Sequence, residues 1–150
     1  ISGKRGSGLT FGASKYVEAP DSSSLDMTEK FNITAWLKDT GSNTDGAFAT
    51  IGGKWVPPFE YYFGVAEDNS NKLTCALNGT GFVYSNTALT ENVWVHVALV
   101  FDETADTCTF YFNGVSKWYF VPENLSLAHN NNYLTFNFIG ITQKSPKKVK

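Results

Sequence analysis

The feature that most constrains this sequence is an alternation of apolar and polar residues with a period of two. In the segment FNITAWLK, the apolar positions fall on one side, namely Phe31, Ile33, Ala35 and Leu37. Successive side chains of a strand point to opposite faces, so this pattern indicates a strand with one buried face. The alternation recurs in GLTFG, KYVEA, AFATIG, EYYFGVA, KLTCALN, GFVYSN, NVWVHVALVF, TCTFYFN, VSKWYF and YLTFNFIGI. The sequence therefore predicts about ten strands.

Polar turns separate these segments, and the dipeptide Asn113-Gly114 is the strongest hairpin signal among them. The longest stretch with a helical period is the short SSSLDMTEK. Aromatic residues make up 15% of the chain, a proportion that favours half-buried strands over amphipathic helices. These features predict an all-β domain of antiparallel strands, either a sandwich or a barrel.

Size and charge limit the classes of partner. At 150 residues the chain is long enough for one domain with its own core. A formal net charge of -2 gives no field that would attract nucleic acid, and no apolar run is long enough to insert into a membrane. We expect residues 1–143 to form the domain, and the basic segment KSPKKVK at 144–150 to be a solvated tail or linker.

Cys75 and Cys108 each lie on the apolar side of an alternating strand. In an oxidising compartment the two could form a disulfide, and in a reducing one they could be two small core residues. The sequence leaves both states open.

Four stretches of the chain resemble a known family. They are the opening GKRGSGLTF followed by KYVEAPDS, the strand FNITAWLK, the long strand WVHVALVFD and the hairpin TFYFNGV. Their order and spacing are similar to those of laminin-G-like, concanavalin A-like domains. The likeness is to the bacterial-type branch related to pentraxins and to many carbohydrate-binding modules. It implies a jelly-roll β-sandwich of two antiparallel sheets, and it implies function more weakly than fold.

The sequence departs from that family in two ways. Relatives usually have a further strand at each end of the chain, and neither is recognisable here, which predicts a sandwich without its outermost edge strands. Many relatives also bind calcium through carboxylates in the turn that here reads Gly12-Ala13-Ser14-Lys15. A lysine would oppose a cation that needs several carboxylate ligands, so we expect no required cofactor and no calcium at this turn.

Catalytic patterns are not evident. Glycosidases of this kind of sandwich place two carboxylates on one strand as Glu-x-Asp-x-x-Glu, and the sequence has no such run. The acidic clusters at Glu67-Asp68 and from Asp102 to Asp106 fall at turns, where solvated turn residues are expected. Neither His96 nor His129 has a neighbour at metal-ligand spacing, and His96 is expected to be a hydrogen-bonded structural histidine. The chain is therefore predicted not to be an enzyme.

Aromatic residues crowd near the loop Val56-Pro57-Pro58 and after the Asn113-Gly114 hairpin. Aromatic faces stack on sugar rings while amides bind hydroxyls, although half-buried packing is the commoner use of such residues in any sandwich. The predicted ligand-binding residues are Trp55, Tyr61, Tyr62, Asn78, Tyr84 and Trp118.

These residues lead to one preferred function and two alternatives. The sequence predicts a non-catalytic, lectin-like glycan-binding module of a secreted or cell-surface multidomain protein. The alternatives are a protein-binding or cell-adhesion module and a virion decoration domain, both of the same fold.

Overall fold

The computed structural model describes residues 1–11, 15–27, 29–41, 48–54, 60–66, 71–77, 81–102, 104–105, 107–120 and 134–136, with the backbone alone at 118–120 and 134–136. This part of the chain forms ten strands: β1 Val17–Ala19, β2 Lys30–Lys38, β3 Phe48–Lys54, β4 Tyr61–Ala66, β5 Lys72–Leu77, β6 Val83–Ala88, β7 Trp94–Asp102, β8 Thr107–Phe112, β9 Val115–Phe120 and β10 Leu134–Phe136. A single turn of 3-10 helix, Ser23–Leu25, lies in the segment with a helical period.

The strands form two sheets in which every pair is antiparallel. The larger sheet has six strands in the order β1-β10-β3-β4-β5-β6, and the smaller has four in the order β2-β7-β8-β9. The predicted all-β, two-sheet antiparallel sandwich is confirmed. Within the described residues, no helix is long and apolar enough to cross a membrane.

The core lies between the sheets and follows the predicted alternation. In β2, Phe31, Ala35 and Leu37 are buried while Asn32 and Trp36 are exposed, since the two sets point to opposite faces. β4, β5, β7 and β8 supply the largest part of the rest, in particular Tyr61, Phe63, Val65, Leu73, Leu77, Val97, Leu99, Phe101 and Phe110. Apolar faces from both sheets thus close one continuous core.

Cys75 of β5 and Cys108 of β8 meet inside this core, each with 0% exposure. Burial raises the pKa of the Cys75 thiol, and its hydrogen bond with Cys108 raises it further. Both cysteines are free thiols in the structure. The pair connects the two sheets, and a disulfide there stays a prediction.

The Asn113-Gly114 dipeptide makes the predicted two-residue hairpin between β8 and β9. Phe112 pairs with Val115 across it, and both turn residues have positive φ, 50° at Asn113 and 81° at Gly114. That combination is the one a twisted two-residue hairpin requires.

The prediction of a strand in GLTFG is wrong for its described residues. Residues 8–11 lie in no strand. Just before them the chain turns back on itself, with an isolated bridge between Ser2 and Ser7, a hydrogen bond from the Gly3 N–H to the Gly6 oxygen at 2.9 Å, and a φ of 63° at Gly6. Glycine readily adopts that left-handed conformation, so the small residues form a local turn before the first strand. The predicted tail at 144–150 lies outside the described residues.

Candidate functional site

An aromatic group lies on the face of the six-stranded sheet that points away from the core. We call it the outer aromatic cluster, and it consists of Phe48 in β3, Tyr62 in β4, Phe82 just before β6, and Tyr84 in β6. The strand alternation explains its position, because neighbours such as Ala49, Phe63 and Val83 pack towards the core.

Three of the four rings contact one another. The Phe48 and Phe82 rings are stacked at 4.2 Å with an interplanar angle of 18°. Tyr62 meets both of them edge-on, with centroid distances of 6.1 Å to Phe48 and 5.6 Å to Phe82. Such pairs are favourable beyond the area that they bury, so the three rings hold one another in place.

The rings lie over small residues. In the strand register Ala76 pairs with Tyr62, and Thr74 pairs with both Gly64 and Tyr84. A Cβ added at Gly64 would lie 2.6 Å from the Tyr62 Cζ atom, so the tyrosine ring extends along its own strand above the glycine. Gly64, Thr74 and Ala76 form what we call the small-residue floor.

Exposure differs among the four aromatic residues. Tyr62 is 3% exposed, whereas Phe48, Phe82 and Tyr84 are half-buried and reach solvent in part. The cluster thus presents three partly accessible rings with Tyr62 packed against two of them. A surface of this kind suits an apolar, flat ligand face such as that of a sugar ring.

The structure separates the predicted site residues. Tyr62 and Tyr84 share the outer face, but Tyr61 is 0% exposed and belongs to the core. Adjacent residues of one strand point to opposite sides of the sheet, so Tyr61 and Tyr62 cannot serve one surface. A ring with no exposed area offers no face to a ligand, and the candidate site therefore excludes Tyr61.

Of the other predicted residues, the structure describes only the backbone of Trp118. Trp55 and Asn78 lie outside the described residues, although the strand ends that lead into them are adjacent, since Tyr61 pairs with both Lys54 and Leu77. Trp118 belongs to β9 of the other sheet, where its backbone pairs with Thr109.

Sequence reasoning missed Phe48 and Phe82. The alternation of AFATIG carries the signal for Phe48, because Ala49 and Ile51 occupy the core-facing positions of the same strand. Phe82 precedes β6 and pairs with no strand residue in the register, so its contact with Phe48 could not be inferred from spacing.

A polar group, separate from the outer aromatic cluster, surrounds Lys54, the last residue of β3. Its side chain is 0% exposed, and Nζ lies 2.7 Å from Asp26, 3.0 Å from Asp21 and 3.4 Å from Glu60. Burial acts to lower the pKa of Lys54, but its hydrogen bonds to Asp26 and Asp21 and the charge of Glu60 outweigh burial and raise it. Lys54 therefore remains an ammonium ion and ties the segment after β1 to the six-stranded sheet.

Tyr61 lies beside this ion cluster. Burial, followed by the charges of Glu60, Asp26 and Asp21, raises its pKa far above the usual range. Its hydroxyl donates to the Leu25 oxygen at 3.4 Å. Tyr61 is therefore a neutral packing residue whose hydroxyl is a very weak acid.

Four of the described acids contact lysine side chains. The three carboxylates around Lys54 all contact its ammonium group, and Asp102 pairs with Lys30 at 2.9 Å and accepts the Ala105 N–H at 3.1 Å. The hydrogen bond from Lys30 lowers the pKa of Asp102. Within the described ranges, no three His, Cys, Asp or Glu side chains are grouped to hold a metal ion.

His96 packs differently from the expectation of a hydrogen-bonded structural histidine. Its half-buried ring lies edge-on to Trp36, with centroids 5.3 Å apart and an interplanar angle of 62°. His129 lies outside the described residues.

Comparisons with known proteins agree with this architecture. The sequence matches the family model Laminin_G_3, described as the concanavalin A-like lectin/glucanases superfamily, over residues 11–144. Among solved structures, the fold is similar to domain 4 of AbnA, a GH43 extracellular arabinanase from Geobacillus stearothermophilus in complex with arabinotriose. That match has a TM-score of 0.67 and 16% sequence identity, and it covers 97% of this chain and 67% of the other. No curated protein matches the sequence.

Proposed function

Since the chain belongs to the concanavalin A-like lectin/glucanases superfamily, we propose that it is a non-catalytic carbohydrate-binding module whose outer aromatic cluster contacts the sugar. The observation that carries the proposal is the arrangement of half-buried Phe48, Phe82 and Tyr84 rings above the small-residue floor. Such rings provide flat apolar faces for the C–H side of a saccharide.

The likeness to domain 4 of AbnA supports this proposal, because that domain was solved with arabinotriose. The AbnA enzyme is extracellular, which favours a secreted or surface location for the present chain within a larger protein. We infer that the module attaches a protein to polysaccharide and leaves any hydrolysis to another domain.

Two features support binding without catalysis. Glycoside hydrolysis needs two carboxyl groups that flank the scissile bond. Asp21, Asp26 and Glu60 instead contact the buried Lys54 ammonium, and Asp102 pairs with Lys30. We also propose that binding needs no calcium, so that EDTA and added CaCl2 leave the affinity unchanged.

Affinity electrophoresis in gels containing arabinan, xylan or mixed-linkage β-glucan tests the proposal. We expect retardation on at least one of these neutral polysaccharides and no release of reducing ends. Tyr84→Ala should weaken binding by roughly five- to tenfold, since an aromatic contact is worth about 1 kcal/mol.

Tyr111→Ala is the matched control, because Tyr111 is also a half-buried tyrosine but lies in β8 of the other sheet. Its affinity for the neutral polysaccharide should equal that of the parent chain. Equal losses in both variants would contradict the assignment of the site. Tight association with a protein, together with no retardation on any polysaccharide, would favour the adhesion alternative.

A further inference from the structure

The outer face of the four-stranded sheet carries a second aromatic group. Trp36 in β2 is 40% exposed, and all other described aromatic side chains are more buried. The register places His96 opposite Trp36 and Trp94 opposite Lys38, so the four residues occupy neighbouring positions of two strands. With Lys4, which lies against Trp36, they form a surface that we call the Trp36 ledge.

Contacts within the chain fix the geometry of the ledge. The Lys4 Nζ lies 5.2 Å from the centroid of the Trp36 ring, and the His96 ring packs edge-on to the same indole at 5.3 Å. The His96 N–H donates to the Asn113 Oδ1 at 3.0 Å, and the Asn113 N–H donates to the His96 oxygen at 2.7 Å. The indole therefore lies on the β2–β7 pair, and hydrogen bonds with Asn113 in the β8–β9 hairpin fix the backbone of His96 beside it.

The ledge is basic although the chain has a net charge of -2. In the described part of the chain, no carboxylate lies within ion-pair distance of Lys4 or Lys38. The ion pair that this face does contain, Lys30 with Asp102, is six residues along β2 from Trp36, or about 20 Å. Lys4 thus lies over the exposed indole, Lys38 occupies the next position on the same face of β2, and neither has an ion-pair partner among the described residues.

We propose that the Trp36 ledge binds an acidic saccharide, a sugar ring that carries a carboxylate. Trp36 and Trp94 supply apolar faces for the ring, while Lys4 and Lys38 pair with carboxylates on the same or the adjacent sugar. Lys4 can leave the Trp36 ring at little cost, because an exposed cation–π contact is weak. The ledge belongs to the opposite sheet from the outer aromatic cluster and does not depend on it.

The small number of lysines favours this ligand over nucleic acid. An exposed ion pair contributes little free energy by itself. Two lysines therefore suit a polymer with one charge per sugar, because its many repeated units raise the overall avidity. A nucleic acid site of useful affinity usually has many more phosphate contacts than two lysines can make.

The test is affinity electrophoresis and titration calorimetry of the full chain with polygalacturonate at 20 and 200 mM NaCl. We expect retardation that weakens at the higher salt concentration. Trp36→Ala should lower the affinity at least fivefold, and the double substitution Lys4→Ala, Lys38→Ala should lower it similarly and remove most of the salt dependence. Thermal melting of each variant reports whether it is folded.

Lys30→Ala is the matched control, since Lys30 lies on the same strand and face at a distance from the ledge. It should leave the affinity for polygalacturonate unchanged. Failure of the parent chain to bind polygalacturonate, or equal effects of the Lys30 and Lys4/Lys38 variants, would overturn the proposal. Tighter binding of a single-stranded oligodeoxynucleotide that depends on Trp36 would overturn it in favour of a nucleic acid site.

The two proposed sites can be tested independently. Tyr84→Ala should reduce binding to neutral polysaccharide and leave polygalacturonate binding intact, while Trp36→Ala should do the opposite. Failure of the parent chain to bind any neutral polysaccharide, with polygalacturonate binding intact, would refute the outer aromatic cluster as a sugar site without affecting the ledge.

Discussion

Replacing Lys54 by methionine tests the role of the buried ion cluster. The substitution keeps an unbranched apolar stem but removes the ammonium that lies within 3.4 Å of three carboxylates. Removing one partner of a buried ion pair typically costs about 3–5 kcal/mol, because the remaining charge is left uncompensated. Asp21 and Asp26 keep about a quarter of their side-chain area in water, 26% and 24%, which favours the lower end of that range.

A loss of about 3 kcal/mol corresponds to a fall in Tm of roughly 6–12 °C for a domain of this size. Urea unfolding followed by tryptophan fluorescence measures the free energy directly. Lys30→Met is the control, because its ion pair with Asp102 is exposed and is expected to contribute less than about 1 kcal/mol.

The dependence on pH adds a second measurement. The raised pKa of Lys54 means that its contribution to stability is present below the ordinary lysine pKa of 10.5 and is lost only as the pH rises through the higher folded value. The stability advantage of the parent chain over Lys54→Met should therefore shrink as the pH rises through that folded value. A Lys54→Met protein as stable as Lys30→Met at pH 7 would refute the reasoning.

Three further predictions concern the core and the hairpin. Oxidation of Cys75 and Cys108 by oxidised glutathione, in which the thiols give two electrons and two protons to the reagent, should stabilise the chain by about 3–4 kcal/mol; equal urea midpoints for the reduced and oxidised forms would contradict this. Because burial raises the pKa of Tyr61, the stability it contributes is present below the ordinary tyrosine pKa and is lost as the pH rises through the folded value. In an alkaline ultraviolet titration, one tyrosine should therefore ionise only on unfolding, and Tyr61→Phe should abolish that late step. Gly114→Ala should destabilise the chain by about 1 kcal/mol because of the positive φ, whereas Gly81→Ala, with open space and no positive φ, should be nearly neutral in the same urea assay.

The sequence was sufficient to predict the fold because each strand carries its own local signal. The alternation in FNITAWLK assigns every residue of β2 to its observed face, and Asn113-Gly114 specifies its hairpin without reference to the rest of the chain. GLTFG was predicted wrongly, because its short alternation forms no strand over residues 8–11 and instead follows the local turn at Gly3 to Gly6.

The candidate site was only partly predictable. Tyr62 and Tyr84 share the outer face, and their contact with a ligand stays a prediction. Tyr61 was grouped with Tyr62 because the two are adjacent in sequence, although adjacent residues of a strand point to opposite faces of the sheet. The cluster around Lys54 joins residues from the segment after β1 and from both ends of the β3–β4 connection. Its members are far apart in sequence, and no spacing rule brings them together.

The small-residue floor determines how close to the sheet the rings above it can pack. Gly64 need not touch a bound sugar, but a methyl group added there would overlap the Tyr62 ring, which packs against Phe48 and Phe82. The shape of the aromatic surface therefore depends on the residues beneath its rings. Divergence among related chains, or deliberate redesign, can reshape the platform for another saccharide while every aromatic residue on it is retained.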